Sequence, residues 1–126
     1  MATEVTIGID IGGTNTVLGV VDRQGNVIDT GSIQTTKFPV IDDFVKALSE
    51  VIMDLSGGGA RTLNGIGIGA PNGNYHKGTI ELAPNLEWKG IVPLAGMVEK
   101  EIGKPVYLTN DANAAALGER LTSRRE

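Results

Sequence analysis

Val5-Thr6-Ile7-Gly8-Ile9-Asp10-Ile11-Gly12-Gly13-Thr14-Asn15 is the stretch that decides the fold. Val5, Ile7, Ile9 and Ile11 point one way and Thr6, Gly8 and Asp10 the other, the period-two signature of a strand. The strand ends on a carboxylate and runs into two glycines followed by two small polar residues. Glycines permit a tight turn through positive φ. Without Cβ atoms at Gly12 and Gly13, an anion can approach the backbone N–H groups freed there. Asp10 beside such a turn suits a magnesium ion held through water, since magnesium sheds its water reluctantly. Thr14 adds a hydroxyl donor. The same residues also suit an ordinary glycine hairpin with an exposed Asp. The pattern is not a P-loop: Gly-x4-Gly-Lys-Ser/Thr is absent, and the turn leads into a second strand rather than a helix.

Working outward, Thr16 to Val21 begins that second strand, Arg23-Gln24-Gly25-Asn26 is a turn by composition, and Val27 to Thr35 is a third strand. Three antiparallel strands in a meander are expected. The period then changes. Ile41, Phe44, Val45, Leu48, Ile52 and Leu55 fall at three- and four-residue steps, with Asp42 and Asp43 in the first turn, where the helix dipole favours them. Ser56-Gly57-Gly58-Gly59 stops this helix. Leu63 to Ala70 is a glycine-rich strand, and residues 71–80 read as an irregular loop or small hairpin. Pro93 suits the first position of a helix carrying Leu94, Met97, Val98 and Ile102 on one face. Gly103-Lys104-Pro105 ends it. Val106 to Leu108 reads as a short central strand, and Thr109-Asn110 caps an Ala-rich helix from about Asp111 to Leu121. The order βββ-α-β-α-β-α predicts one α/β domain around a single mixed sheet.

Composition narrows the function. The 126 residues include 18 glycines, about twice the usual share, with 40% hydrophobic and 4% aromatic residues and no cysteine. There is therefore no disulfide framework, thiol nucleophile or cysteine zinc site. No apolar run approaches the roughly 18 residues of a spanning helix, and the first residues do not read as a signal peptide. A cytoplasmic protein without membrane contact is expected. Lys and Arg number 11 against 15 Asp and Glu, a net charge of -4. The only basic cluster is Arg120, Arg124 and Arg125, so nucleic acid, which needs a basic face, is not an expected partner.

Further constellations could carry chemistry. Gly65, Gly67 and Gly69 share one face of their strand, bare enough for close helix packing or for a ligand to reach the backbone. They are not a dinucleotide fingerprint. Asn110-Asp111 before an alanine run is a standard N-cap pair. It also occupies the ligand edge of an α/β sheet, where a carboxylate can accept a hydroxyl proton in phosphoryl transfer. Asn72, Gly73 and Asn85 are turn formers that also suit sugar hydroxyls. Trp88 reads as a packing anchor and His76 as an exposed loop residue. No histidine sits where a serine triad would need it.

Taken together, these segments resemble the N-terminal half of sugar kinases of the ROK family (repressors, open reading frames and kinases), which includes bacterial glucokinases. The matching stretches are Ile7 to Asn15 with Leu18 to Asp22, then Gly65 to Pro71, Ala83-Pro84-Asn85-Leu86, and Asn110 to Glu119. The resemblance implies a ribonuclease-H-like, actin-like ATPase domain with a mixed five-stranded sheet flanked by helices. It implies ATP and Mg2+ as cofactors and a hexose, glucose foremost, as substrate. By the same resemblance Asp111 matches the catalytic base and Asn110 a partner of ring hydroxyls, with Asn72, Gly73 and Asn85 nearby. Asp10, Gly12, Gly13, Thr14 and Asn15 match the first phosphate and magnesium motif, Asp10 being the residue nearest the metal.

Kinases of the family run to roughly twice this length, with a C-terminal lobe carrying the second phosphate loop, the adenine pocket and a His/Cys zinc motif. The expectation is an N-terminal lobe, inactive alone, that exposes apolar surface and self-associates. The alternatives are a sugar-sensing regulator of the same family or another actin-like phosphotransferase. With the chain beginning at the first strand and no helix-turn-helix before it, a DNA-binding regulator is not expected.

Overall fold

The computed structural model describes residues 3–84 and 86–109. Asn85, Asn110, Asp111 and the helix expected over Asp111 to Leu121 lie outside the described residues.

Strands β1 (Thr3–Ile11), β2 (Asn15–Asp22) and β3 (Val27–Gln34) form the expected antiparallel meander. After helix α1 (Ile41–Leu55), strand β4 (Arg61–Gly69) returns beside β1 in parallel. The short strands β5 (Gly73–Asn74), β6 (Thr79–Glu81) and β7 (Ile91–Val92) follow, then α2 (Leu94–Ile102) and β8 (Val106–Thr109). The main sheet is five-stranded and mixed, in the order β3-β2-β1-β4-β8. Among the described residues no helix is long and apolar enough to cross a membrane.

Three local expectations need correction. β8 is not central: among the described residues it is the strand at one edge, paired with β4 alone. A four-residue apolar strand reads as interior whichever position it takes, because local pattern does not encode neighbour order. The stretch 71–80 is more than a hairpin, since β5 and β6 join β7 in a second, three-stranded sheet. Pro93 is the residue before α2 rather than its first turn, with φ -80° and ψ 63°.

The core lies where α1 and α2 cover one face of the main sheet. Register places Ile7 beside Val20 and Ile66, and Ile9 beside Leu18 and Ile68, so these residues share that face. They pack against Phe44, Leu48 and Ile52 of α1 and Leu94 and Val98 of α2. β1 sits between two strands and is buried on both faces, Thr6 included, so its alternation marks two environments rather than core and solvent. The opposite face carries a row of glycines: Gly8 is opposite Gly19 on one side and Gly67 on the other. α2 ends as expected at Gly103, whose φ of 76° is left-handed.

Candidate functional site

β1, β4 and β8 run parallel, so their carboxyl ends share one edge of the sheet. In register Asp10 is opposite Gly69, and Gly69 opposite Thr109. At about 4.8 Å per strand, one row therefore sets the end of β1 roughly 10 Å from the end of β8. This edge, outside the strand carboxyl ends, is where α/β sheets bind ligands.

On the β1 side of the row lies the glycine turn. The Gly12 N–H donates to the Asn15 carbonyl at 2.9 Å. A Cβ on Gly12 would stand 2.8 Å from that same oxygen, so a side chain there would force the turn open. This differs from the expected reason for glycine. Among the described residues Gly25, Gly57, Gly59, Gly78, Gly90 and Gly103 take positive φ, and Gly12 and Gly13 do not. Close approach, not handedness, requires Gly12. Thr14 and Asn15 are exposed and Gly12 and Gly13 half-buried, which leaves the turn accessible. The Asp10 side chain stands exposed at the strand end, yet the sheet beneath it removes part of its hydration and pushes its pKa above 3.8. Among the described residues no three His, Asp or Glu side chains cluster as a metal cage. Asp10 thus stands beside the glycine turn without a cage of carboxylates, a donor set that fits magnesium keeping most of its water.

On the other side, the chain leaving β4 folds into a polar hollow of about 470 Å³ lined by Asn72, Gly73, Asn74, Tyr75, Glu81 and Thr109. Asn72 takes a left-handed φ of 57°, tolerable for Asn. Its Nδ2 donates to the carbonyls of Glu81 at 3.0 Å and Leu82 at 3.1 Å, so its amide hydrogens shape the loop. Gly73 is required sterically: a Cβ would come within 2.6 Å of Leu108 Cδ2 and closer still to the Thr109 carbonyl. The loop thereby lies directly on the end of β8, and the Ala70 N–H donates to the Thr109 carbonyl at 3.0 Å. Glu81 Oε2 accepts from Thr79 Oγ1 at 2.7 Å and Asn74 Nδ2 at 3.2 Å.

The structure thus brings Asp10, Gly12, Gly13, Thr14, Asn15, Asn72 and Gly73 to one edge, two clusters across a single row of the sheet. Asn110 and Asp111 follow Thr109 directly in the chain. Glu81, Asn74 and Tyr75 escaped the sequence reading, in which Thr109 is only a helix cap. A signal for Glu81 existed: Thr79-Ile80-Glu81 alternates about an apolar residue, which turns Thr79 and Glu81 together to the face opposite Ile80. Trp88 and His76 behave as expected. Trp88 is buried, with its Nε1 donating to the Phe38 carbonyl at 2.8 Å, and His76 is exposed.

The ROK family profile matches residues 6–126. The chain is 40% identical over 119 residues to the glucokinase of Streptomyces coelicolor, covering 91% of this chain and 35% of that protein. It is 53% identical over 58 residues to the xylose repressor of Caldicellulosiruptor bescii, covering 44% of this chain and 14% of that protein. The structure of a ROK family glucokinase from Streptomyces griseus in complex with glucose and AMPPNP superposes with a TM-score of 0.74. That protein is 37% identical, over 97% of this chain and 38% of its own. The chain spans about 35% of the length of the curated glucokinases it matches. The solved structures it resembles include ROK sugar kinases, which have the actin-like ATPase fold, and its own mixed sheet flanked by helices has that fold. The chain belongs to the ROK family.

Proposed function

We propose that this chain serves as the N-terminal lobe of an ATP-dependent hexose kinase that transfers the γ-phosphoryl group to a sugar hydroxyl, with glucose the foremost substrate. The observation that carries the reading is the row Asp10–Gly69–Thr109. The glycine turn and the polar hollow lie at the two ends of that row, which supports a phosphate donor and a sugar sharing one edge. The match to glucokinases supports the same assignment.

In this reading the turn from Gly12 to Asn15 receives phosphate oxygens through backbone N–H groups, and Asp10 holds Mg2+ through water. The ion supplies charge neutralisation when bound. Asn72 and Gly73 shape the sugar hollow, with Asn85 and Asn110 as partners of ring hydroxyls. Asp111 accepts the proton of the reacting hydroxyl. Phosphoryl transfer, with its loose transition state, asks this carboxylate for orientation more than strong basicity. Two lobes must close to exclude water, so the chain alone has no appreciable turnover. The protein works in the cytoplasm, as a homo-oligomer, without nucleic acid or membrane.

The match to a xylose repressor favours a second reading, a sugar-sensing regulator that keeps the hollow and has lost turnover. An ATP-consumption assay on the full-length protein with a panel of hexoses separates the two. Turnover is expected with glucose. Asp111→Asn then lowers kcat by on the order of 10²–10⁴ while sugar still binds, as read by sugar-dependent thermal protection. Sugar protection without ATP consumption in the unmodified protein selects the regulator.

A further inference from the structure

The glycine turn is held from one side by a residue outside every motif above. Thr35 follows β3 and opens a short 3-10 turn, Thr35–Lys37. Its backbone N–H donates to the Thr14 carbonyl at 2.8 Å. Its Oγ1 lies 2.7 Å from Oγ1 of Thr16, 19 positions earlier in the chain. Both threonines are buried, at 0% and 4% exposure. A hydroxyl pair shut away from water keeps its geometry, because either partner turning aside leaves the other unsatisfied in a low-dielectric setting.

The consequence for the turn follows from peptide geometry. A trans peptide points its C=O and the next N–H to opposite sides. With the Thr14 carbonyl drawn toward Thr35, the Asn15 N–H is turned away from β3 and into the turn. At the other end, the Gly12 N–H clamps the Asn15 carbonyl. Asn15 is thereby fixed on both of its peptide planes, one by Gly12 and one by Thr35.

We propose that Thr35 is a positioning residue for the glycine turn. Paired with the Thr16 hydroxyl and bonded to the Thr14 carbonyl, it aims the Asn15 N–H at an incoming phosphate. Thr35 touches no ligand itself. The proposal rests on the turn being the phosphate site of the kinase described above.

Steady-state kinetics on the full-length protein test it. Thr35→Val keeps the side chain's shape and the backbone N–H but strips the hydroxyl. The KM for ATP is expected to rise by about 5–10-fold, the size of one hydrogen bond, with the hexose KM unchanged. Thr35→Ser restores the nucleotide KM. The double variant Thr16→Val/Thr35→Val leaves no orphaned hydroxyl, so it recovers thermal stability while the nucleotide KM stays high. It also decides the matter if Thr35→Val alone fails to fold. An unchanged nucleotide KM in Thr35→Val, an equal rise in the hexose KM, or recovery of nucleotide KM together with stability in the double variant overturns the proposal. Gly12→Ala is the control for the underlying assignment. If it too leaves the nucleotide KM unchanged, the turn is not a phosphate site and the role of Thr35 falls with it.

Discussion

Asp10 sits where its charge is uncomfortable in the absence of a ligand. Partial loss of hydration raises its pKa above 3.8, so the folded protein holds that proton more tightly than the unfolded chain. Stability is then fullest below the unfolded pKa and declines as pH rises through the folded one. Asp10→Asn removes the ionised form and is expected to raise the melting temperature of the ligand-free protein at pH 7. The gain vanishes below about pH 3.8, where both states carry the proton. Unfolding curves at pH 7 and pH 3 check this, and a variant less stable than the parent at pH 7 contradicts it. Partly desolvated carboxylates of this kind cluster at functional sites. The same scale shows what one residue's letter conceals. Gly12 was legible as a turn glycine, yet the reason it must be glycine, a carbonyl 2.8 Å from where its Cβ would be, is invisible without coordinates.

At the scale of elements, α1 was readable to its ends because six apolar residues repeat at helical spacing over four turns. It docks through an aromatic cluster. The Phe44 and Trp88 ring centroids are 4.4 Å apart, and Phe38 meets Phe44 edge-on at 6.3 Å. Trp88 also bonds the Phe38 carbonyl, so one contact ties α1, the segment before it and the loop leading to β7. Phe44→Ala is expected to cost about 3–5 kcal/mol, the range for deleting a buried aromatic side chain, measured by urea unfolding. A loss below about 1 kcal/mol would mean that the cluster is not a core joint. Arg61 plays a lesser part at the sheet edge, donating to Asp29 at 3.0 Å and to the Leu55 carbonyl at 2.8 Å. That bond holds the exposed Asp29 carboxyl below its usual range. β5 and β7, two residues each, had no period to read, since pairing defines them and composition does not.

At the scale of the whole molecule, the chain leaves apolar surface uncovered. Val40 is 53% and Ile91 64% exposed, and Ile91 lines a hollow of about 480 Å³ with Ile41, Trp88, Pro93 and Met97 beside the charged Glu87 and Lys89. Exposed apolar side chains that meet across two copies drive association. The isolated chain is expected to show a mass above the monomer in light scattering at micromolar concentration, falling on dilution. A monomer at every concentration contradicts the expectation. By itself the sequence determined the elements with strong period or punctuation: the meander, α1, the glycine strand and the Gly103 stop. It also determined the residues of the turn, because a carboxylate, two glycines and two small polar residues are local chemistry. Only the tertiary structure decided which strand lies beside which, that β8 falls at the edge of the described sheet, and that the turn and hollow share one row. It alone placed Glu81 in the hollow and Thr35 behind the turn. The pairing of Thr35 with Thr16 and of β4 with β1 and β8 joins residues 19 or more positions apart, fixed by sheet register and by burial of facing apolar stripes. No local pattern carries that information, because the energy deciding it arises only when distant segments meet.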